Sequence, residues 1–167
     1  SGLHAVIGIL MALRSRDEAI KDNKEGGQVV DVALYESMFN LLEAVIPEYD
    51  GAGVVRQPSG TTVTGIVPTN TYKCGDGKFL VIGGNGDSIF ARLMTAVGRT
   101  DMATDEKYAT NSDRVIHEAE LDEVLAAWCA SLPLAEAMTK LEDNRVPCGP
   151  VYNAADMMED THFKYRE

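Results

Sequence analysis

Residues Thr69 to Asp87, TNTYKCGDGKFLVIGGNGD, decide how this chain is read. Thr69 to Cys74 and Lys78 to Gly83 are rich in β-branched and aromatic residues. Gly75-Asp76-Gly77 between them is the signature of a tight turn, so the pair predicts a β-hairpin. A glycine-rich turn follows, and Asp87 is placed to cap a helix. Phe90, Leu93, Met94 and Val97 then recur at helical spacing until Gly98 stops the pattern. A strand feeding a glycine turn and a helix is also how dinucleotide folds cradle a pyrophosphate. That reading fails on spacing: after Gly84 and Gly86 the third glycine position holds Ile89, and Asp87 sets a carboxylate where the phosphate would sit.

Downstream, Leu121, Val124, Leu125, Trp128 and Leu132 predict one longer amphipathic helix, capped near Asn111 or Ser112. Leu134, Ala137, Met138 and Leu141 predict another, entered at Pro133. Val146 to Val151 reads as a short extended piece, and a last short helix covers 154–159. Residues 68–167 therefore read as a small α+β domain.

Upstream the pattern changes. Residues 48–67 are rich in Gly, Thr and Ser without a period, as in a linker or a long functional loop. Val29 to Leu34 (VVDVAL) predicts a buried strand, and Tyr35, Met38, Phe39, Leu42 and Val45 predict a helix that Pro47 ends. Leu3 to Leu13 (LHAVIGILMAL) predicts an apolar helix running to about Asp17, too short for a bilayer span of about 20 residues. It has no capping lead-in beyond Ser1 and Gly2, so the chain is expected to begin inside a fold. Helix, strand and helix over 1–47 make a piece of an α/β layer structure. The expected fold class is thus an α/β fragment plus a small α+β domain.

The net charge is −11, which argues against a nucleic-acid backbone or an anionic membrane as the main partner. Cys74, Cys129 and Cys148 are odd in number and widely spaced, which fits a reducing compartment, with cytoplasm as the expected location. No metal site is expected, because His4, His117 and His162 lack ligand partners at helical spacing. Cys148 between Pro147 and Gly149 could present a thiol, but no histidine lies near it in sequence. The acidic run Glu118-Glu120-Asp122-Glu123 reads as a solvated face. No residue declares itself as catalytic.

Several segments together resemble the family III CoA-transferases, the group of formyl-CoA transferase, carnitine CoA-transferase and α-methylacyl-CoA racemase. Gly2 to Leu13 resembles the family's central apolar helix. Gly27-Gln28-Val29-Val30-Asp31-Val32-Ala33-Leu34-Tyr35-Glu36 resembles its G-Q-x-V-D-V-(S/A)-L-x-E segment, and Pro68 to Gly77 its P-x-x-x-Y-x-(C/T)-x-D-G hairpin. Gly98-Arg99, Asp105 to Tyr108, Asn111 to Arg114 and Val146 to Tyr152 follow in the family's order.

The resemblance implies a Rossmann-like large domain that binds CoA, of which residues 1–47 would be part, and a small domain over 68–167. It implies interlocked dimers, hence a homo-oligomer. Its chemistry is attack of an aspartate on an acyl-CoA thioester, giving a mixed anhydride that CoA and then an acceptor carboxylic acid resolve. That aspartate would fall just before Ser1, leaving residues 1–167 catalytically incomplete alone. Coenzyme A would enter as a thioester substrate, with no covalently bound cofactor. Two alternatives are a racemase-type fragment, which moves a proton beside the thioester carbonyl, and a free-standing, self-associating interaction module. Arg56-Gln57-Pro58-Ser59-Gly60-Thr61 stands where some members carry a mobile glycine-rich loop, although only one glycine occurs here. The resemblance points to Gln57 and Gly60 as substrate-binding residues.

Overall fold

The computed structural model describes residues 1–166, and the chain divides into two compact units, Ser1–Gln57 and Pro58 onward. The first unit contains α1 (Gly2–Lys21), α2 (Leu34–Phe39) and α3 (Val45–Ala52). Helix α1 buries none of its residues, and Leu10 is 61% exposed. Val30 passes close to it: a Cβ added at Gly8 would lie 2.8 Å from Val30 Cγ1.

The strand expected over Val29–Leu34 does not form. Residues 24–33 carry no regular structure, Val29 is 94% exposed, and Leu34 opens α2. A strand needs a neighbour to take its backbone hydrogen bonds, and this unit has no other strand among the described residues. β-branched composition alone cannot supply one. Pro47 also departs from expectation. It lies in the first turn of α3, where its missing N–H costs nothing and its fixed φ suits the helix. Helix α3 therefore occupies part of the stretch read as linker, and ends at Gly53 in the left-handed region.

The second unit is built on an antiparallel sheet of β1 (Thr69–Lys73), β2 (Phe79–Gly83) and β3 (Cys148–Pro150), in the order β1-β2-β3. Tyr72 faces Leu80, and Asn70 faces Ile82. The hairpin turn forms where the glycines predict it, with Gly77 at φ 83. Gly75 is required for a different reason. Its N–H bonds Leu132 O at 2.8 Å, and a Cβ there would meet Ala130 O at 2.8 Å.

Helix α4 (Asp87–Val97) starts one residue beyond Gly86, its N-cap, and stops at Gly98. Two short pieces follow, α5 (Thr100–Ala103) and a 3₁₀ turn over Glu106–Tyr108. The single helix expected from near Asn111 is two: α6 (Asn111–Ile116) and α7 (Glu118–Ala130), divided at His117. Thr110 caps α6 in a reciprocal box with Asp113. Then come α8 (Leu134–Asp143), α9 (Ala154–Glu159) and α10 (Thr161–Arg166). Tyr72, Leu80 and Ile82 from the sheet, Leu93 and Met94 from α4, Leu121 and Leu125 from α7, and Leu141 from α8 form one buried cluster.

Inside that apolar cluster lies Arg114, 0% exposed. Its Nε donates to Val67 O, Nη1 to Tyr108 O, and Nη2 to Asn85 O and the Asp87 carboxylate. The guanidinium lies 4.8 Å from the centroid of the Phe90 ring. Asp87 is 64% exposed on its side chain, so the ion pair itself is worth little. The Val67 and Tyr108 carbonyls carry more of the stability, because their bonds are buried and each would lose its charged donor without the arginine.

Arg114→Leu is expected to destabilise the second unit by at least about 3 kcal/mol, against less than about 1 kcal/mol for Asp87→Asn. Urea unfolding followed by Trp128 fluorescence separates the two. Acid should also weaken this unit. The carboxyls of Asp113, Glu120 and Asp160 are held low, mainly by hydrogen bonds from Thr110, Lys107 and Tyr152 respectively. Depressed folded values mean that their contribution is complete above the unfolded carboxylate range and is lost as pH falls through the folded values. The urea midpoint is expected to drop from about pH 4.5 downward.

Candidate functional site

Of the two residues singled out in the sequence, Gln57 ends the first unit and Gly60 lies near the start of the second. Gln57 is exposed and donates from Nε2 to Val55 O at 3.3 Å. Arg56 of the same run has a structural role: it makes a paired contact with Glu48, whose carboxyl is thereby held low. Gly60 is exposed at φ 68, a conformation open to glycine at no steric cost.

Gly60 belongs to a loop, Pro58–Val67, that is polar yet well anchored. Ser59 Oγ donates to Thr62 O and Thr62 Oγ1 donates back to Ser59 O, closing the tip. Val63 N–H bonds Thr69 O at 3.3 Å. Asn111, the first residue of α6, holds the far end. Its Nδ2 donates to Gly65 O at 2.8 Å and its Oδ1 accepts from Val67 N at 3.0 Å. Arg114, one turn on, takes Val67 O.

The centre of the loop is held by a chain of side chains. Thr61 Oγ1 donates to Asn70 Oδ1 at 2.6 Å, and Asn70 Nδ2 donates to Asp122 Oδ2 at 3.0 Å. Tyr72 Oη donates to Asp122 Oδ1 at 2.5 Å. Burial, reinforced by the bond to Asp122, pushes the Tyr72 phenol far above its ordinary range, so it remains a donor. Asp122 thus leaves the solvated acidic face expected for 118–123 and turns to the sheet. The signal for this was a tyrosine and an asparagine at alternate strand positions opposite an acidic helix. The pairing spans 50 and 52 residues, so it was invisible locally.

The other candidates are accounted for structurally. The Cys148 thiol is pushed up by burial and by Glu142, the opposite of what a nucleophile needs. Burial likewise pushes Cys129 up to about 12. The Gly84–Gly86 turn is packed against Leu93, with a Cβ at Gly84 falling 2.5 Å from Leu93 Cδ2, and its Asn85 carbonyl is taken by Arg114. Among the described residues no group of three or more His, Cys, Asp or Glu is arranged to hold a metal ion. No helix among them is long and apolar enough to cross a membrane. A cleft of about 420 Å³ lies between the hairpin tip and the starts of α8 and α9, lined by Asp76, Phe79, Leu134, Met138 and Tyr152. Asp76 there bonds the N–H groups of Lys78 and Leu134, so its carboxylate is spent on the backbone.

The model of CoA-transferase family III matches residues 1–167. This chain belongs to that family. It is 38% identical over 163 residues to the succinyl-CoA–D-citramalate CoA-transferase of Chloroflexus aurantiacus, covering 98% of this chain and 39% of that protein. It is 32% identical over 167 residues to the beta subunit of the succinyl-CoA–L-malate CoA-transferase of the same organism, covering 99% and 40%. A crystal structure of a CAIB/BAIF family protein from Brucella suis superposes with a TM-score of 0.78 at 32% identity, over 99% of this chain and 42% of that one. The chain therefore spans about two fifths of the length of the family III relatives it matches. The family match bears out the resemblance and the α/β class, and leaves the racemase and interaction-module readings without support.

Breaking the far anchor of the loop should loosen it without unfolding the unit. Asn111→Ala is expected to speed amide exchange at Val67 at least about tenfold, the size of one or two lost hydrogen bonds. Protection at Leu80 and Ile82 should be unchanged apart from a uniform shift.

Proposed function

We propose that this chain is the small-domain part, with an adjoining piece of the large domain, of an enzyme that moves CoA from an acyl-CoA thioester to a carboxylic acid. The observation that carries the reading is the family match over residues 1–167 together with 38% identity to a citramalate CoA-transferase. Residues 1–47 contribute to the CoA-binding domain, 48–67 to the linking loop, and 68–167 form the small domain. Succinyl-CoA is the favoured donor and a small dicarboxylic acid the favoured acceptor, following the relatives' substrates.

The chemistry the family uses needs a carboxylate nucleophile, because its anhydride with the acyl group lies near the thioester in free energy. No carboxylate of the Pro58–Val67 loop is available for it, since the loop contains none. The part of this loop is to bind and shield: a substrate-facing cover anchored at Asn70 and Asn111, with Gly60 at its tip and Gln57 leading into it. On this reading the nucleophile belongs to the part of the family's fold that these 167 residues do not span. The three cysteines, none of them in a disulfide, fit a cytoplasmic location.

The exposed apolar side chains of α1, Leu3, Leu10 and Met11 among them, need covering in the whole protein, by the rest of the large domain and, on our reading, by a second copy in a homo-oligomer.

Two measurements test these readings. The matched segment of the Chloroflexus citramalate enzyme can be replaced by this chain. The folded chimera is expected to form citramalyl-CoA or malyl-CoA from succinyl-CoA, while residues 1–167 alone form neither. Absence of transfer by a folded chimera, or transfer by the chain alone, would count against the assignment. For assembly, light scattering of the purified chain is expected to give a mass of at least twice 18.1 kDa. A constant 18.1 kDa species up to millimolar concentration would remove the oligomer.

A further inference from the structure

Hydroxyl groups usually offer both a proton and lone pairs, and they rotate to suit a ligand. In the Pro58–Val67 loop three hydroxyls have lost that freedom. Ser59 and Thr62 each give their proton to the other's carbonyl. Thr61 gives its proton to Asn70 Oδ1, which can only accept.

The direction of this last bond is fixed from a distance. Asp122 receives the Tyr72 phenol proton at one oxygen, and the other oxygen requires a donor, so the Asn70 amide must turn its Nδ2 toward Asp122. Its Oδ1 then points to the Thr71 N–H and the Thr61 hydroxyl, at 2.7 and 2.6 Å. Thr61 is exposed and presents only oxygen lone pairs outward. Such an atom repels a carboxylate and welcomes a hydroxyl proton.

We propose that Thr61 is a specificity-determining residue that accepts a hydrogen bond from the hydroxyl of a hydroxy-acid substrate, with Asn70 and Asp122 as the positioning residues that keep it an acceptor. This rests on the reading of the loop as substrate-facing. It adds what the family match alone does not give: a named atom that tells a hydroxy acid from its deoxy counterpart. The substrate's carboxylates must be held by other groups, because the Ser59–Thr62 tip offers them no hydroxyl proton.

The test compares L-malate with succinate, two dianions of the same carbon chain that differ by one hydroxyl. Each is titrated into the ¹⁵N-labelled 167-residue chain, reading the amide shifts of residues 59–62 and 70–71. Malate is expected to bind roughly threefold to tenfold more tightly, the range of one hydrogen bond. Thr61→Val should abolish the difference and Thr61→Ser should keep it. Asn70→Asp sets two carboxylates against each other at 70 and 122, which drives them apart, takes the acceptor away from the Thr61 proton and should also abolish the difference. Adding Asp122→Asn to Asn70→Asp rebuilds every bond with the amide and carboxylate exchanged, and should restore the preference; a role in packing alone predicts no such rescue.

Equal binding of the two acids, no binding of either, or a Thr61→Val chain that still prefers malate would overturn the proposal. So would failure of the reciprocal exchange in a chain whose Leu80 and Leu121 resonances remain native. The transferase reading is judged separately by the chimera. An active chimera with a flat titration removes only the role of Thr61. A folded but inactive chimera with a discriminating titration leaves an acid-binding loop and removes the transferase.

Discussion

A guanidinium with no solvent contact holds the second unit together. Arg114 has five N–H donors in a rigid plane, and three of the carbonyls it binds belong to loops and turns: Val67 before β1, Asn85 before α4, and Tyr108 at the end of the 3₁₀ turn. Loops carry unpaired carbonyls, and burying a loop is costly unless something donates to them. By supplying those donors from one side chain, Arg114 lets three loops meet inside the core. The Phe90 ring beneath it completes the cradle without competing for the donors. Lysine could carry the charge, but as a compact ammonium it cannot reach separated carbonyls in one plane.

This arrangement shows which parts of the fold can be read from the chain. The hairpin, α4, α8 and α9 are governed by local signals: glycines at the turns, apolar spacing, and Gly98 or Pro133 at the boundaries. Those signals and the final structure agree. The Val29–Leu34 run was misleading because its composition favours a strand while its surroundings supply no partner. Pro47 was ambiguous because a proline both ends one helix and starts another. Arg114 was legible as a motif residue and illegible as a buried one, since an arginine at 0% exposure depends on acceptors up to 47 residues away.

The candidate site repeats that lesson on a smaller scale. Gly60 was visible as a loop glycine, whereas the groups that shape its surroundings come from a strand and two helices. Asn70 is a poor strand former and Asp122 looked like a surface charge. Each makes sense only when the two meet, with Tyr72 on the other side of the carboxylate. Polar residues that break a local rule were therefore the better guide to the site than those that obey one. The loop tip is chemically simple by comparison, one glycine among three hydroxyls whose protons are already spoken for.

The anchoring of this loop at its ends has a bearing on how such a protein can change. Asn111 and Arg114 sit three residues apart on α6, and together they fix the foot of the loop from Gly65 to Val67. The tip from Ser59 to Thr62 makes its contacts to itself and to Asn70. Substitutions, or even changes of length, at the tip leave the core's polar hub untouched. The loop is in effect an exchangeable part on a permanent mount, so its tip can vary in sequence and length with little loss of folding stability.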